Sequence, residues 1–323
     1  MCRVDEANPA YELHIADRLR YISAMTMDRT RRSLLTASLF AAAMPLDRLF
    51  AQETSTTGPV AQLAALERRH GGRLGVAILD VDSGRRINHR GEQRFPMCST
   101  FKLLAAALVL ARVDRGEERL DRRVVFSEKD LVTYSPVTKA QVGAPGMTMS
   151  ALCHAAITVS DNTAGNLLLA SFGGPAGLTA FARTLGDRMT RLDRIEPELN
   201  EATPGDPRDT TTPAAMLADL RALLLGDALS AASRAQLIDW LVANTTGGQR
   251  LRAGVPAGWR VGDKTGTGEH GATNDVAILW PPGRGPLLVS AYYAEAEASQ
   301  DQRNAVLADV GRIVAGLVIP EAQ

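Results

Sequence analysis

Strand-like segments stand at the two ends of this chain, and the long stretch between them reads as helix. Leu74–Asp80 and Arg86–His89 flank an Asp82-Ser83-Gly84 turn, and Trp259–Thr267, Asn274–Trp280 and Leu287–Tyr293 follow close to the C-terminus. From about Ser99 to Asn244, apolar residues recur at helical spacing around Leu103, Ala151, Leu167, Phe181, Met216 and Leu237. Strands need neighbours to pair with, so segments this far apart must meet in space as one sheet built from both chain ends. The expected fold is α+β: a five-stranded antiparallel sheet flanked by helices, with an all-helical domain inserted. Helices over Val60–His70, stopped by Gly71-Gly72, and over Gln302–Leu317 close the two ends. The division expected is a discontinuous α/β domain over 52–97 and 245–323 and a helical domain over 98–244. A pocket belongs where they meet.

With 323 residues, 45 % hydrophobic and 22 % charged, the chain has enough apolar material for a core that needs no disulfide or metal staple. Lys+Arg and Asp+Glu both total 36, so no global field recruits nucleic acid or an anionic membrane. Cys2, Cys98 and Cys153 are odd in number, and His14, His70, His89, His154 and His270 lie scattered. Neither set has metal-ligand spacing, and no metal or cofactor is expected.

From Met27 the chain reads Arg29, Arg31-Arg32, an apolar stretch from Leu34 to Leu46, and then Ala51. That is the order of a signal peptide: charged region, short apolar region, small residue at the cut. The apolar stretch falls short of the ~20 residues that span a bilayer. Thr30–Leu35 resembles a twin-arginine export signal. Residues 1–51 are thus read as an N-terminal extension and signal peptide, with translation starting at Met25 or Met27. The mature chain is expected to be a soluble, exported monomer, in the periplasm or outside the cell, with no membrane or nucleic-acid partner.

All but four of the 36 basic side chains are arginine; the lysines are Lys102, Lys129, Lys139 and Lys264. Lysine differs from arginine in having a pKa that burial can move into a catalytic range. Two of the four stand in short motifs. Ser99-Thr100-Phe101-Lys102 opens the most apolar helical stretch, where a spacing of three puts hydroxyl and ammonium on one helix face. A serine needs such a neighbour to become a nucleophile. The uncharged run Leu103–Val109 implies that the lysine is buried. Ser160-Asp161-Asn162 follows the helical run Leu152–Val159 and by itself reads as an Asx turn or helix cap. Lys264-Thr265-Gly266 ends a strand, its glycine allowing a ligand close to the backbone.

The three motifs in this order, about sixty and one hundred residues apart, resemble the class A β-lactamases and the penicillin-binding proteins. A fourth segment separates the two. Arg194-Ile195-Glu196-Pro197-Glu198-Leu199-Asn200 is similar to the omega loop of class A β-lactamases, whose carboxylate activates the deacylating water and which penicillin-binding proteins lack. The resemblance implies an Arg194–Asp209 pair at the loop's neck and a cis bond before Pro197. It further implies a β-lactam hydrolase with Ser99, Lys102, Ser160 and Glu196 as catalytic residues, converging around a gap the size of one water molecule. Asn162, Asn200, Lys264, Thr265, Gly266, Thr267, Tyr134 and Arg250 are implied to bind substrate, Tyr134 as an aromatic wall and Arg250 as a clamp on the substrate carboxylate in place of Thr273. The alternatives are a DD-peptidase acting on cell-wall peptide and a β-lactam sensor domain.

Two departures from the family bear on the cysteines. Cys98 precedes the nucleophile as in the carbapenem-hydrolysing members, but their partner cysteine is Gly268 here, and the family partner of Cys153 is Ala106. Both thiols are expected to be free and buried, as small apolar groups.

Overall fold

In the computed structural model the described residues are 58–318. The signal-peptide reading, the expected cut near Ala51 and Cys2 lie outside them. Helix α1 (Pro59–His70) starts with proline at its first position, where the missing N–H is no loss, and stops at Gly71, whose N–H bonds Glu67 O. Strand β1 (Arg73–Asp80) pairs antiparallel with β2 (Arg86–His89). After the helical stretch come β3 (Arg260–Thr267), β4 (Thr273–Trp280) and β5 (Leu287–Ala294). The sheet order is β2-β1-β5-β4-β3, antiparallel at every junction. β5 therefore lies against β1 in space, and the ends of the chain share one sheet, as the separated strand segments require.

Both faces of that sheet are covered. Leu74, Val76 and Ile78 of β1 point with Val289 and Ala291 of β5 to one side, against Leu63 and Leu66 of α1 and Val306, Leu307 and Val310 of a C-terminal helix over Gln300–Gly316. The alternate residues Ala77, Leu79, Ile278, Leu288 and Tyr292 face the helical part of the chain.

That part is organised around α2 (Phe101–Asp114), which is buried from Phe101 through Ala111. Around it lie α3 (Met149–Thr158), α4 (Asn162–Ala170), α5 (Gly174–Thr184) and, after α6 (Pro213–Leu224), which packs on β1 and β5 of the sheet, α7 (Ala231–Val242). A helix apolar all round needs neighbours on every side, so α2 is the axis and α3, α4, α5 and α7 its jacket. The C-terminal helix, now α8, begins two residues before the sequence reading, because Ser299 and Gln302 form a capping box. β3 is an edge strand. Its outer edge keeps main-chain groups that the sheet does not use, and it faces the start of α2 and of α4.

Candidate active site

The chain enters α2 through a tight turn over Cys98–Thr100, with Cys98 forced to φ 46°. A non-glycine residue in the left-handed region is strained. Ser99 sits on this turn rather than in the helix proper. Lys102, one turn on and fully buried, donates from Nζ to Ser99 Oγ at 2.7 Å. The same ammonium meets Ser160 O at 2.9 Å, Asn162 Oδ1 at 2.7 Å and Glu196 Oε1 at 2.8 Å. Burial pushes the Lys102 pKa down from the ordinary lysine value, and the Glu196 carboxylate opposes that.

Ser160-Asp161-Asn162 divides its labour. Asp161 is the cap that the bare sequence suggests: it accepts from Ala164 N at the start of α4 and from Val137 N, Thr138 N and Thr138 Oγ1. By tying that loop to α4 it leaves its two neighbours facing inward. Ser160, at φ 59°, accepts at Oγ from Lys264 Nζ at 3.0 Å. Lys264 is also fully buried, and burial together with nearby Lys102 drives its pKa well below the ordinary value. Asn162 Nδ2 donates to Thr133 O, and Asn162 N donates to Tyr134 O. Tyr134 stands at the mouth, 57 % exposed, with its own backbone at φ 64°.

Glu196 approaches from the loop between α5 and α6. Its side chain is wholly buried, and the bond to Pro197 is cis, as expected. The neck of the loop is closed as expected too: Arg194 Nε donates to Asp209 Oδ2 at 2.6 Å, and Asp209 Oδ1 accepts from Asp193 N and Arg194 N. Asn200 Nδ2 donates to Glu196 Oε2. Ser99 Oγ lies 3.1 Å from Glu196 Oε1. The hydroxyl, ammonium and carboxylate thus lie within 3.1 Å of one another.

Ser99, Tyr134, Ser160, Asn162, Asn200, Arg250, Thr265, Gly266 and Thr267 line one cavity of about 320 Å³. Lys102, Glu196 and Lys264 stand just behind its wall, each hydrogen-bonded to a lining residue. A wider and more open hollow of about 700 Å³ lies at Arg112–Arg122. Its charges are paired with one another, as in Arg122–Glu118, and its Ser171 hydroxyl is spent on Leu168 O. Size does not locate the chemistry here; convergence of groups does.

Three details differ from the sequence reading. Arg250 is buried at the cavity, and most of its fork is already engaged: Nη1 donates to Gly266 O and Asn274 O, Nε to Asn304 Oδ1, and Nη2 to Thr267 Oγ1 at 2.6 Å. One of its five N–H groups remains, too few for a two-pronged clamp. A β-carbon at Gly266 would come within 2.7 Å of Met97 O, so the glycine clears the protein's own backbone rather than a ligand. Thr246 also lines the cavity and the sequence reading missed it.

Asn166 was missed as well. It holds the main chain of Glu196 from both sides, Nδ2 to Glu196 O at 2.8 Å and Oδ1 from Glu196 N at 2.9 Å. The signal for it was its place four residues after Asn162, on the same face of α4. Cys98 and Cys153 are free and buried as expected, and burial pushes both thiols far above their usual pKa. Among the described residues no cluster of three or more His, Cys, Asp or Glu side chains could hold a metal ion, and no helix is long and apolar enough to cross a membrane.

Comparison with known proteins bears on this geometry. A family model described as "Beta-lactamase enzyme family" matches residues 59–318. The chain is 54 % identical over 254 residues to Beta-lactamase FAR-1 of Nocardia farcinica (strain IFM 10152), covering 79 % of this chain and 81 % of that one. To Beta-lactamase AST-1 of Nocardia asteroides it is 50 % identical over 294 residues, covering 88 % and 94 %. Among solved structures, the ancestral (GNCA) class A β-lactamase is similar with a TM-score of 0.78 at 68 % identity, over 79 % of this chain and 98 % of that one.

Proposed function

The chain belongs to the class A serine β-lactamase family, and from that premise we propose that this β-lactam hydrolase opens its substrate through an acyl-enzyme on Ser99, which a water activated by Glu196 releases. The observation that carries this reading is the position of Ser99 Oγ, 2.7 Å from a buried ammonium and 3.1 Å from a buried carboxylate. A serine so placed has a base within reach whichever of Lys102 or Glu196 takes its proton.

The lactam carbonyl oxygen turns toward the main-chain N–H groups of Ser99 and Thr267, residues that both line the cavity. Each such donor is worth roughly 10²–10³ in rate. Ser99 attacks the carbonyl carbon, the C–N bond breaks, and Ser160 passes a proton to the departing nitrogen, resupplied through Lys102 or Lys264, which both approach its hydroxyl. Arg250, Lys264, Thr265 and Thr267 form a positive, hydroxyl-lined corner for the substrate carboxylate. Asn162 and Asn200 orient the substrate's side-chain amide and the hydrolytic water, and Tyr134 walls the entrance.

Deacylation needs a base that remains after Ser99 is esterified, and Glu196 is that group. Glu196→Ala is expected to acylate and then stall, leaving a mass increase of one opened substrate on the protein. Rapid multiple turnover by that variant would overturn the role. The same reading has the chain divided at 98 and 244 into α/β and helical domains, exported after removal of a signal peptide, and active as a monomer. N-terminal sequencing of the exported protein, and light scattering on it, test the last two points.

A further inference from the structure

A line of side chains runs along the inner wall of the cavity, from a buried carboxylate to the corner assigned to the substrate carboxylate. Asp263 of β3, fully buried, accepts from Arg252 Nη2 on Oδ1 at 2.5 Å and from Asn244 Nδ2 on Oδ2 at 2.5 Å. The other end of the Asn244 amide, Oδ1, accepts from Thr246 N at 3.2 Å and lies 2.9 Å from Thr246 Oγ1. Thr246 Oγ1 is in turn 2.5 Å from Thr265 Oγ1. Thr246 and Thr265 both line the cavity, and the mechanism uses neither Asn244 nor Thr246.

The neighbours fix where each hydrogen goes. A carboxylate beside Arg252 calls for a donor and a main-chain N–H calls for an acceptor, so the Asn244 amide has one orientation. Its Oδ1 takes the single hydroxyl hydrogen of Thr246. The hydrogen between the two threonines is then Thr265's, and Thr265 shows the cavity lone pairs. Thr267 is set the opposite way. Its Oγ1 accepts from Arg250 Nη2 at 2.6 Å, which leaves its own hydrogen for a ligand.

The geometry points to Asn244 as a positioning residue that sets the direction of this hydroxyl chain and thereby weakens binding of anionic substrates relative to neutral ones; this rests on the reading of the site given above. An ionised carboxylate offers only acceptors. For Thr265 to donate to it, Thr265 must rotate its hydrogen into the cavity, and Thr246 must turn its hydrogen from Asn244 to Thr265. One hydrogen bond to Asn244 is lost each time an anion is bound through Thr265. A neutral ligand exacts no such reversal.

The test compares a penicillin carrying its free carboxylate with the methyl ester of the same penicillin, in steady-state kinetics on the exported enzyme. Thr246→Val removes the hydroxyl that holds Thr265's hydrogen. KM for the free acid is expected to fall about threefold to tenfold, the net effect of one hydrogen bond, with kcat constant, as for a change in uniform binding. KM for the ester should stay within about twofold, and Thr246→Ser should restore the original value for the acid. If Thr246 merely props Thr265, the sign reverses and the acid's KM rises. A rise, no change, or an equal shift for acid and ester overturns the assignment while leaving the Ser99 mechanism intact. Failure of the unsubstituted enzyme to turn over either substrate would overturn the mechanism instead. Asn244→Leu, which removes the acceptor itself, is expected to move the acid's KM in the same direction and serves if the valine variant does not fold.

Discussion

A methylene of Lys102 passes where a β-carbon on residue 165 would sit. Built there, that carbon would be 2.8 Å from Lys102 Cε, closer than two carbons approach without one moving. Gly165 lies in α4 between Asn162 and Asn166, and its small size is what lets the ammonium reach Ser99. Gly165→Ala should improve α4 as a helix by about 1 kcal/mol while displacing Lys102 from Ser99. A misplacement of that order costs about 10²-fold in rate. The expected outcome is a variant with undiminished thermal stability whose acylation of a chromogenic cephalosporin, followed by stopped flow, has dropped by about that factor. Stability lost together with activity would mean that the helix, not the lysine, had given way. The lysine itself was legible, because an uncharged run after Ser-x-x-Lys implies burial. Gly165 was not, because what a glycine clears lies on another helix.

At the scale of elements, strands and helices could be read to within a few residues, since their apolar periods are set by burial on one or two faces of a long segment. The loop carrying Glu196 was legible through resemblance to a family and not through any period. What holds the loop is partly hidden from both kinds of reading. Its neck is closed by Arg194 and Asp209, which the resemblance names, but its inner end is pinned by Asn166 from α4. Asn166→Ala removes two hydrogen bonds to the Glu196 main chain, in a place where little else can replace them. A loss of about 1–3 kcal/mol in stability is expected. Because Glu196 is assigned to deacylation, the turnover of the acyl-enzyme should fall more than its formation. Rapid-quench experiments should then show a burst of ring-opened substrate held covalently on the enzyme, near one equivalent, followed by slow release of product. Equal loss in both phases would place the effect of Asn166 on the nucleophile rather than on the loop.

At the scale of the whole molecule, the core between sheet and helices holds a carboxyl pair that no local pattern announces. Asp219 sits on α6 between Leu217 and Leu220, where the sequence alone would give it to solvent, yet it is fully buried. Neither of its oxygens has a hydrogen-bond donor, and neither does Oδ2 of Asp187, the group it faces. Burial first, and then the Asp187 charge, hold the Asp219 pKa well above the carboxylate range; Arg183 of α5 opposes them. The folded protein therefore keeps a proton that the unfolded chain has released. The stability this proton contributes is complete below the ordinary carboxylate value and is lost as pH rises toward the folded one. The pair is connected to the loop that carries Glu196: Asp187 Oδ1 accepts from Met189 N and Thr190 N, and Thr190 Oγ1 meets Thr211 Oγ1 at 2.6 Å across the loop's root. Asp219→Asn supplies a permanent donor to Asp187 and cannot ionise. Its stability advantage over the unsubstituted protein should grow as pH is raised from the ordinary carboxylate range toward the raised value of the fold, by at most about 1.4 kcal/mol per pH unit, or roughly 2–4 °C in Tm for each kcal/mol in a protein of this size. Thermal melts across that range, with and without the substitution, give the difference directly. A constant offset would show that Asp219 does not change its protonation between the two states, and a shrinking one would show that Asp219 is ionised in the fold and stabilised there by Arg183.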